Sequence, residues 1–260
     1  MWSLSLRERD FTSLPPSHKL TRPVRPHATE DSPGGQSTGM NSPQLLDTVV
    51  PPDPAAVVLV LHGGASRGGS PMVSPTQLSV LRMVPIARRI ARAGAGRLAV
   101  LRLLNSTRGW DTGHTPVDDA DWALDQCRER FGSLPIGLVG HSLGGRAALL
   151  AGDRPPVRSV VALNPWVYAT DHADLGGRAV LIAHGTRDRI ARPERSAQVA
   201  RHLGAAEVTY VRVRGGKHAM LARHAMFDTL AADFTASTLL DSDPDGSVAW
   251  TRSSENDIEV

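Results

Sequence analysis

The residues Gly140-His141-Ser142-Leu143-Gly144 spell G-x-S-x-G, between an apolar run, Ile136–Val139, and a helical pattern from Ser142 to about Gly152. A serine at a sharp strand-to-helix turn can serve as a nucleophile. The glycines remove side chains that would collide in the turn, and the hydroxyl is raised above the sheet edge. The start of the helix offers free N–H groups and partial positive charge to a developing oxyanion. The competing reading is a glycine-rich helix cap in which Ser142 only closes the first turn.

A hydroxyl attacks poorly until a base takes its proton, and the base must be held in one tautomer by an acid. Open α/β sheets collect such groups at the carboxyl ends of their strands. Asp188 lies five residues beyond an expected strand, Ala179–Ala183, and His218 lies five beyond another, Glu207–Val213. Taken singly, Asp188 could be a loop carboxylate paired with Arg187, Arg189 or Arg192, and His218 the first residue of the last helix. Asp171, beyond the expected strand Val157–Leu163, is the rival acid. The oxyanion needs two backbone donors. Leu143, next after the serine, should supply one, and Gly64 or Ala65 in His62-Gly63-Gly64-Ala65 the other. Trp110 and Trp166 also follow strands at this edge; they are candidates for a substrate pocket, or else plugs at the rim of the core.

The elements that must position these residues are legible as an alternation. Ala55–Leu61 is a continuous apolar run, as expected of a strand buried on both faces. Val80, Leu81, Val84, Ala87, Ile90 and Ala91 then recur at helical spacing. The strand Leu98–Leu104 follows, then a helix from about Val117 to Phe131 whose acidic first turn (Asp118, Asp119, Asp121) suits the helix dipole. Beyond the serine motif come the strands and helices already named, with helices expected over Pro193–Leu203 and His218–Phe234. The class is α/β: a mostly parallel, doubly wound sheet with helices on both faces. About 15 residues join strands Val157–Leu163 and Ala179–Ala183, too few for a helical cap domain. That predicts an open, shallow site suited to small soluble acyl compounds.

From about Leu45 to Leu239 the chain resembles the α/β-hydrolase superfamily. The markers are His62-Gly63-Gly64, Gly140-His141-Ser142-Leu143-Gly144-Gly145, His184-Gly185-Thr186-Arg187-Asp188 and His218. The order Ser142, Asp188, His218 is the order of that fold. The branch it resembles most is the small lidless esterases and dienelactone-hydrolase-like proteins. Dienelactone hydrolases carry cysteine where this chain has Ser142. The resemblance implies loop-supporting roles for His62 and His184. It also implies a serine hydrolase cleaving a small carboxylic ester through an acyl-enzyme, with no metal or organic cofactor. The same machinery could serve acyl transfer, thioester or peptide cleavage, or survive on a non-catalytic binding module. Strand alternation turns His141 away from the nucleophile. His114 and His172 read as exposed loop residues, and His202 and His224 fall within helices.

The bulk properties are consistent with that reading. The chain has 260 residues, 41% of them hydrophobic, which is enough for a core. No run approaches the length of a membrane span, and Arg7, Glu8, Arg9 and Asp10 interrupt any signal-peptide core. A single cysteine, Cys127, excludes an internal disulfide and reads as a small packed hydrophobe. The formal net charge is +3. The arginines are scattered or at helical spacing, without the aromatic-interleaved stripe of a nucleic-acid binder. The expectation is a cytoplasmic protein whose partner is a small-molecule acyl substrate, with neither nucleic acid nor membrane. Three regions are expected: a disordered Pro/Ser-rich extension over 1–42, a hydrolase-like domain over 43–240 and an acidic tail over 241–260. Met40, just before the ordered pattern, is an alternative start.

Overall fold

The computed structural model describes residues 42–65, 72–203, 207–240 and 257–260. The proline-rich extension and most of the acidic tail lie outside the described residues. The strands are β1 (Gln44–Val49), β2 (Ala56–Leu61), β3 (Leu98–Leu104), β4 (Ile136–His141), β5 (Val157–Leu163), β6 (Ala179–Gly185), β7 (Glu207–Val213) and β8 (Asp257–Glu259). They form one sheet in the order β1-β3-β2-β4-β5-β6-β7-β8. Strand β1 runs antiparallel to β3, and every other pairing is parallel.

The alternation of side chains along each strand explains the layering. On β2 all six residues are buried. Val57, Leu59 and Leu61 enter one core with α3 (Thr115–Phe131), α4 (Leu143–Ala151) and α5 (Pro193–Ala200). Ala56, Val58 and Val60 enter the other with α2 (Met83–Ala93) and α6 (His224–Leu240). A short α1 (Leu78–Leu81) precedes α2. The sheet is therefore doubly wound, as the alternation of strand and helix predicts. The 15-residue connection Asn164–Arg178 contains no helix, so no cap covers the sheet at this point.

Several boundaries differ from expectation. Neither edge strand was anticipated: β1 alternates only weakly, and β8 is three residues inside a segment read as a polar tail. Strand β6 continues to Gly185, so Asp188 lies three residues beyond it rather than five. The last helix begins at His224, not His218, because a loop and a 3-10 turn (Leu221–Arg223) intervene. Helix α5 ends at Ala200, which leaves His202 in a turn. Met83 rather than Leu81 joins the core from the first helical stretch, and Leu81 is exposed.

Candidate active site

The sequence reverses direction in the sheet at β2: β3 is added on one side and β4 on the other. The crevice at the carboxyl ends of β2 and β4 is the switch point at which open α/β sheets place their ligands. His62–Ala65 leaves β2 there, and Ser142 leaves β4.

Ser142 has φ 58° and ψ −118° immediately before α4. Such angles are strained for a residue with a side chain, at a cost of about 1–3 kcal/mol. The neighbouring glycines make the turn possible. A Cβ at Gly140 would lie 2.1 Å from the Gly144 carbonyl oxygen, and one at Gly144 would lie 2.5 Å from that of Leu61. The backbone of the turn is tied down by the Ser142 N–H donating to the Leu163 carbonyl and the Trp166 N–H donating to the Ser142 carbonyl, each at 3.0 Å. Ser142 makes no side-chain cap hydrogen bond. The bland reading of this residue, that it merely closes the helix, therefore does not hold.

Its hydroxyl meets His218 instead. Ser142 Oγ lies 2.9 Å from His218 Nε2, and His218 Nδ1 lies 2.8 Å from Asp188 Oδ2. Because a carboxylate only accepts, Nδ1 carries the proton and Nε2 is free to accept from the serine. The Asp188 side chain is fully buried. Burial alone would raise its pKa. Hydrogen bonds from His184 and His218 and the Ile190 N–H outweigh burial and hold the carboxyl well below its ordinary range. Its second oxygen accepts from the N–H groups of Ile190 and Ala191 at 2.8 and 3.0 Å. Three residues distant in the chain thus meet in one hydrogen-bonded line.

What brings Asp188 and His218 together is a glycine seam that the sequence reading missed. Gly185 and Gly216 pack so closely that a Cβ at Gly185 would fall 2.4 Å from the Gly216 carbonyl carbon. The Arg187 N–H donates to the Gly216 carbonyl (2.9 Å), and the Gly215 N–H donates to Thr186 Oγ1 (2.9 Å). Asn164, at the end of β5 with φ 42°, was missed as well. Its buried amide donates to the carbonyls of Lys217 (3.0 Å) and His218 (3.1 Å), and its oxygen accepts from the Gly185 N–H (2.8 Å). The only sequence signal for Asn164 was its place beyond a buried strand.

His141 does not turn away. Its Nε2 donates to the His218 carbonyl at 2.8 Å, and its ring lies 5.1 Å from that of His218. Burial, with His218 nearby, pushes its pKa down to about 3, so it is neutral. His62 and His184 support loops, as the resemblance implied. His62 Nδ1 donates to the Gly63 carbonyl while Nε2 accepts from the Asn105 N–H. His184 Nε2 donates to the Ala191 carbonyl and lies 3.3 Å from Asp188. His114, His172 and His224 are exposed. Asp171, the rival acid, accepts from Nε and Nη2 of Arg146, each at 2.7 Å. Asp119 is buried and accepts from the N–H and hydroxyl of Ser106, fixing the loop that leads to Trp110. Cys127 is buried on α3, which pushes its thiol up to about 12.

Leu143 opens α4, so its N–H has no acceptor within the helix. Gly64, Leu143, Trp110 and Trp166 all line the cleft that contains Ser142 and His218. The cleft measures about 980 Å³, at the upper end of ordinary ligand pockets. Side chains of α1, α2 and the loops carrying Trp110, Trp166 and Tyr168 line this cleft without a cap. Among the described residues, no group of three or more His, Cys, Asp or Glu side chains could hold a metal ion, and no helix is long and apolar enough to cross a membrane.

No protein-family model matches the chain, and no curated protein matches it. Solved structures do match. A serine hydrolase without a lid from Xanthomonas campestris is 17% identical, with a TM-score of 0.57, over 77% of this chain and 93% of that one. The esterase Est1E from Butyrivibrio proteoclasticus, solved with ferulic acid bound, is 14% identical with a TM-score of 0.55, over 76% and 96%. An α/β serine hydrolase homologue from Coxiella burnetii is 19% identical with a TM-score of 0.53, over 73% and 89%. At these identities the likeness is one of architecture, and the chain has the α/β-hydrolase fold.

Proposed function

We propose that the protein is a serine hydrolase that cleaves a carboxylic ester of a small-molecule acyl substrate in the cytoplasm, without nucleic acid, membrane or cofactor as partner. The observation that carries this reading is the line Ser142 Oγ, His218 Nε2, His218 Nδ1, Asp188 Oδ2, with spacings of 2.9 and 2.8 Å. In the first step Ser142 Oγ attacks the ester carbonyl carbon while His218 Nε2 takes the hydroxyl proton. The carbonyl oxygen becomes an oxyanion facing the N–H groups of Leu143 and Gly64. Collapse breaks the bond to the alcohol, which leaves with the proton from His218, and Ser142 remains acylated. A water then attacks the acyl carbon, giving its proton to His218, and Ser142 leaves with that proton as the free acid is released. Asp188 stays ionised throughout and stabilises the imidazolium. The esterases and serine hydrolases among the structural neighbours support the reaction class.

A fluorophosphonate probe with mass mapping tests the reading directly: label is expected on Ser142 and on no other residue. Ser142→Ala should lower hydrolysis of a short p-nitrophenyl ester by at least about 10³-fold. Purified Ser142→Ala turning over the ester at the native rate would refute the mechanism.

A further inference from the structure

The cleft has two kinds of wall. Leu78, Leu81 and Leu221 form an aliphatic side, while Trp110, Trp166 and Tyr168 form an aromatic one. The aromatic side has a support that the proposed chemistry does not use. Arg146, on the helix after Ser142, is 4% exposed. Its guanidinium carbon sits 4.1 Å from the ring centre of Trp110 and 4.7 Å from that of Tyr168. Asp171 holds the guanidinium with two hydrogen bonds of 2.7 Å and accepts the Tyr168 N–H at 2.9 Å. Trp166 meets Tyr168 nearly edge-on, with ring centres 5.0 Å apart and planes at 73°.

A buried cation is costly unless compensated. Here a carboxylate and two π faces compensate it, both rings lying within the distance at which a cation attracts a ring. Arg146 Nη1 is buried and has no hydrogen-bond partner, so beyond Asp171 the two ring faces are the attraction that offsets burial of the cation. An aliphatic residue at position 146 would fill the space more cheaply but would not fix two rings at once. Without the cation, Tyr168, which is 44% exposed, would be free to change rotamer. The arrangement spends burial of a charge to set ring orientation.

We infer that Asp171 and Arg146 hold Trp110 and Tyr168 as a preset stacking face, and that the site takes esters with an aromatic ring beside the scissile group. The near-perpendicular corner between Trp166 and Tyr168 accepts a flat ring face-on to one and edge-on to the other, which is how aromatic quadrupoles prefer to meet. Preset rings need no ordering when substrate binds. A saturated ring of the same size fills the same volume and lacks the quadrupole. Arg146 and Asp171 are positioning residues and touch no reacting atom.

This inference rests on the ester-hydrolase reading, and its test separates the two. Two matched pairs are compared by kcat/KM: methyl 3-phenylpropanoate with methyl 3-cyclohexylpropanoate, and benzyl acetate with cyclohexylmethyl acetate. The phenyl member of at least one pair should be favoured by about threefold to tenfold. In Arg146→Met that ratio should fall to near one, and Asp171→Asn, a gentler change that keeps the shape, should lower it in the same direction. The ratio does not depend on how much active protein a variant yields, so a merely structural role would leave it unmoved. Equal rates within both native pairs would overturn the inference while leaving the hydrolase reading intact. So would a phenyl preference that survives both substitutions. Absence of ester turnover together with absence of Ser142 labelling would instead overturn the hydrolase reading, and the inference with it.

Discussion

At the scale of single residues, strain and burial have a visible purpose. Ser142 is held at a positive φ by a turn that only its glycine neighbours permit, and Asn164, also at a positive φ, gives its amide nitrogen to the loop carrying His218 and its oxygen to Gly185 at the end of β6. Replacing Asn164 by alanine would leave the buried Gly185 N–H without its partner, at about 1–3 kcal/mol for a group that water cannot reach, and would take one of two donors from the carbonyls of Lys217 and His218, which keep the Met220 N–H and His141 Nε2. Asn164→Ala is expected to lower kcat by about tenfold or more and to lower the unfolding midpoint, read by steady-state kinetics beside a thermal melt. A native kcat would mean that the His218 loop is positioned without it. The residues of the candidate site were largely legible because their signals are local. Ser142 is announced by its flanking glycines, and Asp188 and His218 by their distance from apolar runs. His141, the last residue of β4, was misread because strand alternation fixes a face of the sheet and not which loop packs against it, and here the loop carrying His218 does.

At the scale of elements, Asp188 and His218 sit on two different loops, and the contact of Gly185 with Gly216 makes those loops one unit. Gly216→Val would place a Cβ 2.8 Å from the Gly185 Cα, against backbone that has nowhere to go. The loops must part, and His218 with them. Fluorophosphonate labelling of Ser142 in this variant should slow by more than about tenfold, because Ser142 loses His218, its proposed base; labelling at the native rate would show that the seam is dispensable. Strands buried on both faces were readable as unbroken apolar runs, β2 above all. The edges were not. Strand β1 has no fully buried residue and β8 has three residues, so neither carries an apolar period long enough to recognise. The start of α6 was misplaced because a loop and a 3-10 turn precede it, and neither has an apolar repeat to mark its limits.

For the molecule as a whole, the same pairing that orients His218 links stability to pH. The Asp188 carboxyl is held below its ordinary value of about 3.9 when folded. The folded state therefore binds fewer protons than the unfolded chain in that range. The stability Asp188 contributes is fully present above about pH 4 and is lost as pH falls toward the folded value. Melting temperatures from pH 3 to 7 should decline on the acid side less steeply in Asp188→Asn than in the native protein. Parallel curves would show that other carboxylates govern acid unfolding. The doubly wound class followed from the alternation of elements, whereas the lining of the cleft did not. The lining brings together Leu78, Trp110 and Tyr168, which are far apart in the chain, and no one-dimensional pattern encodes their meeting. The seam between Gly185 and Gly216 has a practical corollary for engineering. It holds the loops of Asp188 and His218 together using none of the side chains that line the aromatic and aliphatic walls. A library randomised at Leu78, Trp110 and Tyr168 should explore new selectivities while the reactive set stays assembled, provided those two glycines are left alone.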